Sequence, residues 1–209
     1  MEKNLEHPEF FKLGITIIYA IVIALSIDAS KAILIPFYSI PSNFLYAIIL
    51  FYGYFFIITG WIEYHFLTQR FNGINRAIIP TFVIEIGILF LFYYVIIAGS
   101  ENGADYLIPD VYLFVTPIIF LLLTLRDMYN ANNYKNENLV HYRNLSRNFL
   151  FISIIISLSY LAETYATGFQ SFGMFAFYRD LIFALLTLTL IVIYRILRWR
   201  EINSAPLTS

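Results

Sequence analysis

Three carboxylates stand inside otherwise apolar stretches of this 209-residue chain: Glu63, Glu85 and Glu163. An ionisable group at membrane depth costs about 2.5–3.5 kcal/mol on insertion scales, so such residues face protein or water and mark candidate ion or proton pathways. Glu163 has the most suggestive surroundings. Ser153, Ser157, Tyr160, Thr164 and Thr167 follow at i, i+4, i+7, i+11 and i+14, one stripe of a helix, with Glu163 and Ser159 on its border. Two readings of that stripe compete. It lines a wet path or ligand cavity, or its hydroxyls serve close packing between membrane helices. Glu85 has no basic residue at helical spacing. It must meet a partner on another helix, hold a proton, or touch water; a buried carboxyl suits proton coupling. Glu63, beside Trp61 and Tyr64, reads either as a pathway residue or as one reaching the headgroups within an aromatic belt, and His65 likewise. Asp28 and Lys31 are spaced as an intrahelical pair, and Asp110 opens a later apolar stretch.

The elements that must carry these residues are membrane helices. Phe44–Ile62 is free of charge over nineteen residues, close to the ~20 needed to cross a bilayer. The chain is 60% hydrophobic and 13% charged, with mean hydropathy +0.72, against about 25% charged in soluble domains. Lipid must cover part of that apolar surface. Six spans are predicted, at about 13–35, 44–67, 77–98, 107–125, 149–169 and 175–194, in one all-α bundle. Pro80 falls in the first turn of the third span, where it is tolerated. Pro117 falls mid-span and predicts a kink. The stretch 126–148 holds seven asparagines, too polar to bury much, and reads as an exposed cytoplasmic loop or as helix extensions. The acids and lysines before Leu13, with no small-residue cleavage site after them, predict that the first helix is retained.

Basic residues orient the bundle. Lys3, Lys12, Arg70, Arg76, Arg126, Lys135, Arg143, Arg147, Arg195, Arg198 and Arg200 fall on one side of the alternating spans; Lys31 and Arg179 fall on the other. Positive residues stay cytoplasmic, so both termini are expected inside. The other side collects Asp28, Glu101, Asp105, Asp110, Glu163 and Asp180, an acidic mouth that follows from the topology rule or concentrates cations.

Composition excludes several functions. The chain has no cysteine, so disulfides, thiolate catalysis and cysteine-ligated metals are out. Three histidines (His7, His65, His141) do not supply the facing pair a membrane haem needs. No GxxxxGK[ST], HExxH, GxSxG or GxGxxG occurs. We therefore expect no catalytic residues, metal site or cofactor, and a net charge of −1 gives no reason for nucleic acid. The expectation is an integral membrane protein for permeation or transport of a cation or proton. Its pathway candidates are Glu163, Glu85, Glu63, Ser153, Ser157, Thr164, Asp28 and Asp110. One alternative is a non-catalytic subunit of a larger membrane complex; another is a membrane-embedded enzyme on a lipid-like substrate. Expected partners are the lipid bilayer and further copies of the chain or other membrane subunits.

Overall fold

A computed structural model of the chain describes residues 7–34, 44–70, 78–100, 109–134, 137–166 and 174–204, each segment one helix. In order these are α1 (His7–Leu34), α2 (Phe44–Arg70), α3 (Ile78–Ser100), α4 (Pro109–Tyr134), α5 (Glu137–Ala166) and α6 (Met174–Ser204). The described residues contain no strand. The molecule is an all-helical membrane bundle. Five helices, α2 to α6, are long and apolar enough to span. The sixth expected span, α1, is a 28-residue helix whose apolar part, Leu13–Asp28, is shorter. At 1.5 Å per residue that part covers about 24 Å, and Asp28 with Lys31 closes it.

Membrane helices are forced by desolvation: in hydrocarbon every backbone N–H and C=O must be satisfied within the segment. Neighbours then sort the faces. α3 lies against α1, α2 and α4; α6 lies against α2, α4 and α5. The shared interior is a layer of rings. Phe56 of α2, Phe92 of α3 and Phe120 of α4 are all inaccessible. Phe56 and Phe92 centroids are 4.4 Å apart, and Phe120 meets Tyr194 edge-on at 5.0 Å and Phe149 at 5.9 Å. Such offset and edge-to-face pairs are the geometries that ring quadrupoles favour. Apolar side chains outside this layer, such as Ile17, Ile21 and Leu25 on α1 or Phe151, Ile155 and Leu158 on α5, are exposed and form the lipid-facing surface of the bundle.

The polar stretch 126–148 is helical through Tyr134 and again from Glu137. It extends α4 and begins α5, the helix-extension alternative, and several of its residues turn inward: Arg126, Asp127, Ala131, Leu139, Tyr142 and Ser146 are buried.

The Pro117 site has a local solution. A proline has no N–H for the carbonyl four residues back, here that of Leu113. Ser157 of α5 donates its hydroxyl to that carbonyl at 2.7 Å. One residue earlier, Thr116 bonds back to the Tyr112 carbonyl at 2.6 Å and also meets the Tyr52 hydroxyl of α2 at 2.6 Å. The proline position is thus clamped from two neighbouring helices.

Candidate functional site: a buried charge network

Six charged side chains converge at one end of the bundle, at the C-terminal part of α2, α4 and α6 and the N-terminal part of α3 and α5. Glu63 comes from α2, Glu85 from α3, Arg126 and Asp127 from α4, and Arg195 and Arg198 from α6. Their side chains are at most 5% exposed. Three positive and three negative groups make the set neutral.

Glu63 is the hub. Its Oε1 accepts from Arg126 Nη2 at 2.7 Å and from Arg198 Nε at 2.6 Å, and its Oε2 accepts from Arg195 Nη1. Asp127 receives a forked pair from Arg198, Nη1 to Oδ2 at 2.6 Å and Nη2 to Oδ1 at 2.7 Å, the bidentate geometry that suits guanidinium and carboxylate. Ser146 of α5 adds a hydroxyl bond to Asp127 at 2.5 Å and stands 3.1 Å from the Tyr194 hydroxyl. Glu85 is held by Arg126 Nη1 through Oε1. Among the described residues that is its one ion pair, so α3 joins the network through a single tie.

Aromatic rings cap the arginines. The Arg195 guanidinium lies 4.5 Å from the Phe56 ring centre, and Arg198 lies 5.0 Å from that of Tyr142. These cation–π contacts tie the charges directly to the apolar layer. α1 approaches through Tyr19, which is buried. A Cβ placed on Gly60 would lie 3.2 Å from the Tyr19 hydroxyl and 3.3 Å from Arg195 Nη2. The missing side chain at Gly60 is what lets α1, α2 and α6 close around this point.

The energetics are those of a closed polar cluster. Removing an ion from water costs several kcal/mol even after relaxation, and partners must repay it. Here each carboxylate is matched by a guanidinium with direct hydrogen bonds. The pairing links α2, α3, α4 and α6, so separating any one of these four leaves an unmatched charge in a low-dielectric interior; α5 is joined through the Ser146 hydroxyl.

The other predicted residues take different places. Glu63 turns inward rather than toward the headgroups; Trp61 and His65, on the opposite face, stack edge-on at 4.7 Å, with Trp61 exposed. Glu85 finds its partner on α4, one of the options open to it. Glu163 stands apart. It lies seventeen residues beyond Ser146 on α5, about 25 Å along the helix axis, and is half-buried near Arg179. Glu63 and Glu85 therefore share one cluster that does not include Glu163. At that far end Arg179 pairs with Asp180 at 3.0 Å, Tyr160 donates to Asp180 at 3.1 Å, and the Arg179 guanidinium sits 5.0 Å from the Tyr160 ring centre.

The hydroxyl stripe of α5 is engaged by backbone at two of its positions. Ser153 bonds the Leu150 carbonyl at 2.7 Å, and Ser157 bonds that of Leu113. Both are buried, which favours the packing reading for these two serines. Thr164 is half-buried further along. Asp28 pairs with Lys31 at 2.5 Å and both are exposed. The side chain of Asp110 lies outside the described residues. Among the described residues no group of three or more His, Cys, Asp or Glu is arranged to hold a metal ion.

Arg126, Asp127, Arg195 and Arg198 were missed as site residues. The sequence expectation places Arg126 at the start of an exposed loop or helix extension and the two C-terminal arginines in a short basic tail; the structure puts all three inside helices, with their side chains buried. A signal was present. On α4 the buried positions Tyr112, Thr116, Ile119, Leu123 and Arg126 continue one helical stripe, as do Thr187, Leu190, Ile191, Tyr194 and Arg198 on α6. The inward phase runs on past the last apolar residue. Withdrawing these three arginines from the orientation count still leaves eight basic residues against two.

Comparisons with protein-family models, curated proteins and solved structures give no match to this chain.

Proposed function

We propose that the chain moves a proton or another small cation across the membrane, and that the six-charge network is the closure of its pathway on the side where the two termini lie. The observation that carries this reading is the burial of Glu63, Glu85 and Asp127 with three arginines inside membrane-spanning helices. Cohesion alone does not require it: apolar residues of similar volume hold helices together as well as a buried ion-pair cluster, and often better. Intramembrane ionisable groups are retained where charge must move or where a bistable contact must open.

The geometry favours a proton over a larger cation at this closure. Both oxygens of Glu63 and both of Asp127 are already occupied by arginine donors. A metal cation would have to displace a guanidinium to gain a ligand there, whereas a proton needs one carboxylate oxygen. Above the network the inaccessible rings of Phe56, Phe92 and Phe120 fill the interior, which fits a shut conformation. The predicted orientation puts the closure on the cytoplasmic side and the Glu163–Arg179–Asp180 group on the outer side. Copies of the chain, or other membrane subunits, are the expected neighbours in the bilayer.

The test is flux in proteoliposomes, with a pH-sensitive dye inside and, in parallel, potassium or sodium gradients. Proton flux well above protein-free vesicles, altered by Glu63→Gln, supports the proposal. Vesicles that contain folded protein and leak neither protons nor alkali cations under any gradient refute it, and leave the scaffold-subunit reading in its place.

A further inference from the structure

We infer that Glu85 is the proton-binding residue of the network, and that binding a proton there unfastens α3 from α4. The inference deepens the transport reading given above and rests on it for its purpose, though not for its test.

The three carboxylates are unequally committed. Glu63 accepts three hydrogen bonds from three different arginines. Asp127 accepts two from Arg198 and one from Ser146. Glu85 accepts one, from Arg126. Hydrogen bonds to the ionised form oppose protonation, so neutralising Glu63 or Asp127 weakens three such bonds and displaces at least one of them, whereas neutralising Glu85 weakens one. The charged and titratable groups that act on Glu85 come from each helix against α3: Tyr19 on α1, Tyr64 on α2 and Arg126 on α4. Glu63 and Asp127 stand one contact further, through Arg126. Arg126 keeps its contacts to Glu63 at 2.7 Å and Asp127 at 3.5 Å when Glu85 becomes neutral. The arginine therefore keeps two carboxylate partners, while the carboxyl of α3 has lost its one ion pair.

The balance is simple. One O–H bond forms on a Glu85 oxygen, no covalent bond breaks, and the six-residue set passes from neutral to a net charge of +1. That charge is surrounded by Phe56 and buried tyrosines, where an uncompensated ion is strongly unfavourable. The set relieves it by admitting water, and the seam with one tie, α3 against the rest, is where the bundle parts with least loss. α2, α4 and α6 stay bound through Glu63, Arg126, Asp127, Arg195 and Arg198.

The absence of cysteine from the chain makes the test direct. Cysteines placed at Ile79 on α3 and Met128 on α4, both exposed and outside the network, carry nitroxide labels. Their separation is measured by double electron–electron resonance in lipid nanodiscs as pH is lowered. A longer-distance population that grows on acidification is expected in the otherwise unaltered chain. With Glu85→Gln that population is expected at every pH, with no pH response. A separation that never changes with pH overturns the inference, and so does a Glu85→Gln protein that keeps the parent response. If Glu85→Gln does not fold, Glu85→Asp retains the carboxyl on a shorter arm; its response is expected at a displaced midpoint, and an undisplaced one overturns the assignment. A pH-dependent separation without any proton flux would refute transport and leave Glu85 as a proton-responsive latch.

Discussion

The clamp at Pro117 offers a sharp test of how this bundle satisfies its backbone. Pro117 leaves the Leu113 carbonyl without its helical donor, and Ser157, itself 5% exposed, supplies one from α5. Ser157→Ala strands a buried acceptor. Stranding a buried acceptor costs about 1–3 kcal/mol in general, and interhelical hydrogen bonds measured within membranes average about 0.6 with a maximum near 1.7 kcal/mol. The expected loss is therefore about 1–1.5 kcal/mol. Pro117→Ala returns an N–H four residues after Leu113 and restores the missing bond within α4. In that background Ser157→Ala is expected to cost less than about 0.5 kcal/mol, so the two changes couple by about 1 kcal/mol. The assay is a double-mutant cycle by reversible unfolding in bicelles, with steric trapping as the readout. Additivity within about 0.3–0.5 kcal/mol, the range found for independent sites, would refute the claim that this serine substitutes for the proline's missing donor.

Other outcomes follow from the same geometry. Asp127→Asn removes the charge that faces Arg198 and is expected to destabilise the bundle by about 3–5 kcal/mol, as breaking one partner of a buried pair does; a shift in the detergent-solubilised melting curve checks it, and wild-type stability would show the pair is not buried. At Gly53 a Cβ would lie 2.6 Å from Ile96 Cγ1, whereas at Gly87 the nearest atom is 3.5 Å away. Gly53→Ala is therefore expected to cost about 1–3 kcal/mol through overpacking, and Gly87→Ala to be neutral or stabilising by up to about 1 kcal/mol, both read in the same unfolding assay. A topology reporter inserted at Asn102 is expected outside and one at Asn136 inside; the reverse pair would invert the orientation drawn from basic residues.

Much of the architecture is written in local composition. Long uncharged runs such as Phe44–Ile62 have one stable form in hydrocarbon, because a helix alone satisfies its own backbone there. That is why helix number, and the need for Glu85 to meet protein or water rather than lipid, follow from the chain by itself; whether Glu63 reached the headgroups or turned inward did not. The weak point was the edge of each span. Arg126, Arg195 and Arg198 sit just past an apolar run, and composition treats such residues as exposed. The helices instead continue, and their inward face continues with them. The phase was visible in the stripe from Thr187 through Tyr194 to Arg198, but charge hid it.

What the chain dictated alone was the solvent: apolar segments of membrane length, carboxylates that must be sheltered, a proline that takes a donor out of its helix. What only the folded bundle decided was the pairing. Glu85 meets Arg126 across 41 residues of sequence and Glu63 meets Arg198 across 135, contacts set by how helices stand side by side. Glu163, which shares its type and its setting with them, was left at the other end for the same reason: helical spacing governs neighbours along one rod, and has no say in which rods touch.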